Sequence, residues 1–151
     1  MFDDLYTERV LRLAADIPRA GRLADPHGTA SKTAKLCGST VVLDVKLAEG
    51  RVTDFAQEVQ ACALGQAAAG VLGANIVGAT VDEVLAAREA LHAMLKRGGP
   101  PPEGRFADLR VLEPVKEFPA RHASTTLAFD AAADAIGAAQ SSREATGATV
   151  A

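Results

Sequence analysis

Thr40 to Leu47 alternates without interruption, with Val41, Leu43, Val45 and Leu47 on one face and Val42, Asp44 and Lys46 on the other. A period of two is the pattern of a strand with one buried face. Ala48-Glu49-Gly50-Arg51 supplies a Gly-containing turn, and Val52 to Ala61 reads as a second strand with the inward set Thr53, Phe55, Val59 and Ala61. Gln57 is the weak position in that set. The two strands predict an antiparallel hairpin. Before it, Pro18 to Lys35 is rich in Gly, Pro, Thr, Ser and Ala and reads as loop with a small edge strand.

Helical spacing takes over on both sides. Leu5, Val10, Leu11 and Leu13 predict a short helix over Asp3 to Ala15, starting near Asp3 or Asp4 and ended by Pro18. Cys62 to Ile76 is a helix of small residues. Gly65, Gly70 and Gly73 each cost it about 1 kcal/mol of propensity against Ala, which points to tight packing on the sheet. Thr80-Val81-Asp82-Glu83 fits a capping box, Val81, Val84, Leu85, Arg88, Leu91 and Leu95 follow at helical spacing, and Lys96, Arg97 and Gly98 close the helix. Gly98 to Gly104 is a breaker-rich loop, Phe106 to Leu112 reads as a short helix, and Pro114 and Pro119 bracket a turn. Ser124 to Ala139 is a last, Ala-rich helix, and residues 140–151 read as a disordered tail behind one domain spanning 1–139.

Composition narrows the class. With 151 residues and 48% hydrophobic content the chain fits one domain, and without Trp its core must come from closely packed Ala, Leu and Val. A net charge of -3 gives no electrostatic reason to expect nucleic acid or an acidic membrane surface. The amino terminus is charged from its third residue, and no stretch approaches the roughly 20 apolar residues of a membrane span. These features predict a soluble cytoplasmic protein, where cysteines are thiols or metal ligands rather than structural bridges.

The only cysteines, Cys37 and Cys62, enter and leave the hairpin, so pairing of its strands places them at one end of the ribbon. A thiol in the first turn of a helix faces unpaired N–H groups, which favour the thiolate. Of the three histidines, His27 in Asp25-Pro26-His27-Gly28 reads as an exposed turn residue, and His92, one position beyond an apolar stripe, reads as a surface residue. His122 stands, like Cys62, at the entrance to a helix. Two thiolates and an imidazole form a zinc-type set lacking one ligand and also tolerate iron or an iron-sulfur unit. Two buried, inert cysteines are the other reading of the same spacing.

From about Leu5 to Ile136 the chain resembles the iron-sulfur cluster assembly scaffolds of the NifU/IscU/SufU type. Pro18-Arg19-Ala20-Gly21 resembles the family's Asn-Pro-Arg-Asn-x-Gly stretch, shortened by one. Leu36-Cys37-Gly38-Ser39 is similar to its Cys-Gly-Asp motif, and Ala61-Cys62-Ala63 to its Gly-Cys-x-x segment. Thr80 to Leu95 matches the helix that follows, and Pro119 to Ala128 resembles the Arg-x-Lys-Cys-Ala-Thr-Leu-Ala segment that supplies a third cysteine. Leu112-Glu113-Pro114-Val115-Lys116 resembles a chaperone-docking motif of one branch, at a different offset from the site, and chaperone docking is not expected.

The resemblance implies an α+β fold, a small antiparallel sheet of about three strands packed against four to five helices. It implies a non-enzymatic scaffold that accepts sulfur from a PLP-dependent cysteine desulfurase, binds iron on the same thiolates, and passes a transient 2Fe-2S cluster to acceptor apo-proteins. Two landmarks depart from the pattern. Ser39 stands at the family's Asp, and the third-cysteine position falls close to Ser124, two residues after His122. The expected ligands are therefore Cys37, Cys62 and His122, with Ser39, Arg121 and Ser124 as accessory residues. A zinc-binding sulfur-transfer partner of a desulfurase and a metal-free interaction homologue are the alternatives.

Overall fold

The computed structural model describes residues 6–147. Helix α1, Glu8–Ala15, begins where Thr7 accepts the Val10 N–H on its hydroxyl at 3.2 Å. Asp3 and Asp4, the expected start, lie outside the described residues, as do residues 148–151 of the tail. Strands β1 (Gly28–Ala34), β2 (Ser39–Ala48) and β3 (Arg51–Gln60) form an antiparallel sheet in that order. Helices α2 (Ala63–Asn75) and α3 (Val81–Arg97) follow, then tight 3-10 segments over Gly104–Glu117 and Pro119–Arg121, and α4 (His122–Gly147). The α+β expectation holds. α4 continues beyond Ala139 to Gly147, so the first part of the expected tail is helical.

The alternation in β2 is borne out: Val41, Leu43, Val45 and Leu47 are all buried against the helices. Its partner strand needs a correction. Lys46 pairs with Asp54 but Leu47 with Val52, which leaves Thr53 as an extra, bulged residue. The bulge reverses the side-chain parity, so Val52 turns inward and Thr53 outward, while Phe55 and Gln57 keep inward places.

Gln57 is buried because it has a task. Its Nε2 donates to the Ala69 carbonyl at 2.9 Å and the Pro18 carbonyl at 3.3 Å, tying β3 to α2 and to the loop before β1. The same loop pairs with the free edge of β3, where Gly21 N–H donates to the Gln57 carbonyl and Gln57 N–H to the Arg19 carbonyl. Farther along, the loop covers Asp44. That residue lies on the polar face of β2 yet its side chain is fully buried, accepting from Arg22 at 2.7 and 3.0 Å, Thr29 at 2.6 Å and the Leu23 N–H at 2.9 Å.

Helices cover the opposite face of the sheet. α4 lies on β1 and β2, α2 packs against α4 and β3, and α1 packs on α2. The small residues of α2 make this possible: a Cβ on Gly70 would sit 2.5 Å from the Leu13 carbonyl oxygen of α1. The capping box of α3 is present, with Thr80 and Glu83 bonding each other's backbone N–H. α3 is locked to α4 by Asp130, which accepts from Arg88 and pairs with His92, both at 2.7 Å, and accepts from Thr126 at 3.0 Å. His92 is thus an interhelical partner rather than a surface residue. Phe106 meets Phe129 edge to face, 5.5 Å between centroids, and holds the 3-10 segment on α4.

Candidate functional site

The turn between β1 and β2, residues 35–38, carries Cys37 at the end of the hairpin. It is closed by Gly38 N–H donating to the Ala34 carbonyl at 2.8 Å, with Gly38 at φ +74°, a conformation that glycine adopts without strain. Thr40 pairs with Gln60, so β3 delivers Cys62 to the same end. Cys62 is the N-cap of α2 in extended conformation, and its thiol makes no capping bond. It turns instead to α4, where Cys62 Sγ lies 3.4 Å from Ser124 Oγ.

Close approach of the two helix starts depends on Gly65, one turn into α2. A Cβ there would meet the Ser124 carbonyl oxygen at 2.8 Å. Ser124 is buried and donates its hydroxyl proton to the Arg121 carbonyl at 3.2 Å, which leaves its oxygen to receive the Cys62 S–H.

Cys37 is exposed, whereas Cys62 is half-buried. The Ser39 hydroxyl, 3.0 Å from Cys37 Sγ, holds that thiol below the ordinary thiol value. Partial burial opposes the shift, and the Ser39 N–H adds to it. Ser39→Ala removes the largest cause of the shift. The pH profile of Cys37 alkylation is expected to move to higher pH, with slower reaction at neutral pH. An unchanged profile refutes the role of Ser39.

The structure does not bring His122 to the pair. Its ring is buried and Nε2–H donates to the Val115 carbonyl at 3.0 Å, fastening the 3-10 segment to the start of α4. The reason is helical geometry: residues two apart point to different faces, so when Ser124 faces Cys62, His122 faces away. Among the described residues no three of His, Cys, Asp and Glu gather where they could hold a metal ion. Of the expected Cys37, Cys62 and His122, the two thiols lie beside the hydroxyls of Ser39 and Ser124, and His122 bonds Val115. Arg121 contributes its carbonyl to Ser124 and Thr125, and its side chain is half-buried. His27 is also structural, since its Nδ1 accepts the Leu47 N–H at 2.9 Å and extends the β1–β2 pairing past the end of β1. The residue that sequence reasoning undervalued is Gly65; its place three positions after Cys62 was a signal for close packing, but not for which helix approaches.

Residues 5–125 match the NifU-like N terminal domain family. The chain belongs to that family. Two relatives, each named an iron-sulfur cluster assembly scaffold protein IscU, are similar to it. The one from Thermotoga maritima is 27% identical over 136 residues, spanning 90% of this chain and 95% of the relative. The one from Streptococcus pyogenes serotype M1 is 27% identical over 100 residues, spanning 66% and 63%. The crystal structure of a nitrogen-fixing NifU-like protein (N-terminal) from Brucella abortus superposes with a TM-score of 0.91 at 53% identity, covering 93% of this chain and 97% of that one. As a NifU-like domain the chain thus carries its thiols on the expected fold. Among the described residues no helix is long and apolar enough to cross a membrane.

Proposed function

We propose that this NifU-like chain is an iron-sulfur cluster assembly scaffold, with Cys37 and Cys62 as the residues that receive sulfur and iron. The observation that carries the reading is the arrival of the chain's only two thiols at one end of the sheet, Cys37 beside Ser39 and Cys62 beside Ser124, in a family whose similar members are named as cluster scaffolds. The chain's role is to carry, not to turn over. A PLP-dependent cysteine desulfurase supplies sulfur, a 2Fe-2S unit is the cargo, and acceptor apo-proteins receive it.

The donor count favours cargo over a resident metal. Structural zinc is closed by four protein ligands, and stable iron-sulfur clusters are held by four thiolates or their equivalent. Two thiols leave half of those positions open to exchange, which suits a site that loads and unloads. Ser39 and Ser124 form hydrogen bonds with the sulfurs without competing as soft ligands.

The test is anaerobic reconstitution of the reduced chain with ferrous iron and sulfide. Visible cluster absorbance that passes to an apo-acceptor is expected. Stoichiometric zinc in the purified protein with no cluster formed on reconstitution overturns the reading. In the same assay His122→Ala is expected to load cluster like the parent chain. Its cost appears in urea denaturation, about 1–2 kcal/mol for the Val115 carbonyl left without its donor.

A further inference from the structure

We propose that Cys62 is a resolving thiol which reduces a persulfide formed at Cys37 and releases its outer sulfur as hydrogen sulfide. The proposal rests on the scaffold reading only for the source of the persulfide.

Sulfur delivered as a persulfide is at oxidation state zero, and cluster sulfide is two electrons more reduced. The chain contains two cysteines and no more, so a sulfur carried on one has a single thiol neighbour from the same chain. The environments divide the roles. Cys37 is exposed at the hairpin end, beside the Ser39 hydroxyl at 3.0 Å, and is the thiol an incoming donor reaches. Cys62 is half-buried behind it at the start of α2. Ser124 stands 3.4 Å from Cys62 Sγ, and a hydroxyl at that position cannot itself supply electrons or form a disulfide. Strand pairing brings both cysteines to one end of the sheet, and Cys37 sits on the exposed 35–38 turn, so joining the sulfurs calls on a shift of that turn rather than a rearrangement of the core.

The Cys62 thiolate attacks the inner sulfur, the one bonded to Cys37 Cβ, and a Cys37–Cys62 S–S bond forms as the persulfide S–S bond breaks. The outer sulfur leaves with the bonding pair as HS⁻ and takes up the proton that Cys62 gave up. The two thiols are oxidised by two electrons and the sulfane sulfur is reduced by two. A dithiol reductant then reopens the pair. Attack on the outer sulfur would move the persulfide to Cys62 without reduction, and that alternative has a different mass signature.

The experiment treats the full, reduced chain with one equivalent of glutathione persulfide, anaerobically and without iron or other thiols. Released sulfide and intact mass are read. One sulfide per chain and an intramolecular disulfide are expected. Cys62→Ser is expected to retain one extra sulfur atom on Cys37 and to lose sulfide release; Cys62→Ala serves if the serine variant does not fold. The proposal is overturned if the parent chain keeps the added sulfur on either cysteine, if the disulfide joins two chains, or if Cys62→Ser carries a glutathionyl group instead of a sulfur atom. Reconstitution from inorganic sulfide bypasses this step. A chain that loads cluster from sulfide but does not resolve persulfide refutes this step alone, and the reverse result refutes the scaffold reading alone.

Discussion

Cys37→Ser or Cys62→Ser abolishes cluster loading, with bound iron falling more than about 100-fold in affinity. Loss of an outer-shell partner already costs about 10–100-fold at metal sites, and each of these substitutions removes one of only two sulfur donors. The hydroxyls at Ser39 and Ser124 cannot compensate, since soft thiolate is what selects iron-sulfur units. Cluster absorbance and iron content after anaerobic reconstitution check the result, and retention of either in both variants refutes the site. The opposite change makes the opposite prediction. Ser124 lies 3.4 Å from Cys62 Sγ, so Ser124→Cys adds a third sulfur donor at the same point. Slower loss of cluster to a chelator and slower hand-over to an acceptor are expected.

Asp44→Ala is expected to be the most destabilising single change outside the apolar core, about 3 kcal/mol in urea denaturation at neutral pH. It leaves the Thr29 hydroxyl and the Leu23 N–H without their acceptor beneath a covering loop, and unsatisfied buried groups cost about 1–3 kcal/mol each. The pH dependence has a defined sign. Burial alone raises the Asp44 carboxyl, but the hydrogen bonds from Arg22, Thr29 and the Leu23 N–H outweigh it and hold the group below its ordinary value. A folded value lower than the unfolded one stabilises the protein above the unfolded carboxylate range, about pH 4, and that contribution is lost as pH falls through the lowered folded value. The parent chain is expected to lose stability through this window while Asp44→Ala lacks that component. Parallel acid profiles for the two chains refute the assignment.

Local pattern made much of this molecule legible. The period of two in Thr40 to Leu47, the capping box at Thr80 and the small-residue run after Cys62 each depend on nearest neighbours, and each appears in the fold. The hairpin placed Cys37 and Cys62 at one end because strand pairing follows from the turn. Asp44 was legible only as a polar position on β2; its burial depends on a loop more than twenty residues earlier in the chain. The parity of β3 was misread at its start, since a single bulged residue inverts every position before it and leaves no mark in composition.

By itself the sequence determined the donor inventory, two thiols and no third cysteine, and the order of the elements that carry them. Tertiary structure decided which side chain lies beside Cys62. His122 and Ser124 are two residues apart at the start of α4, and either could face the thiols until the helix has a fixed rotation. Gly65 fixes that rotation against α2 by admitting the Ser124 carbonyl, and His122 is carried round to Val115. Residue type is a property of the sequence, but which residue faces the thiols is set by helix phase, and helix phase is set by packing between segments far apart in the chain.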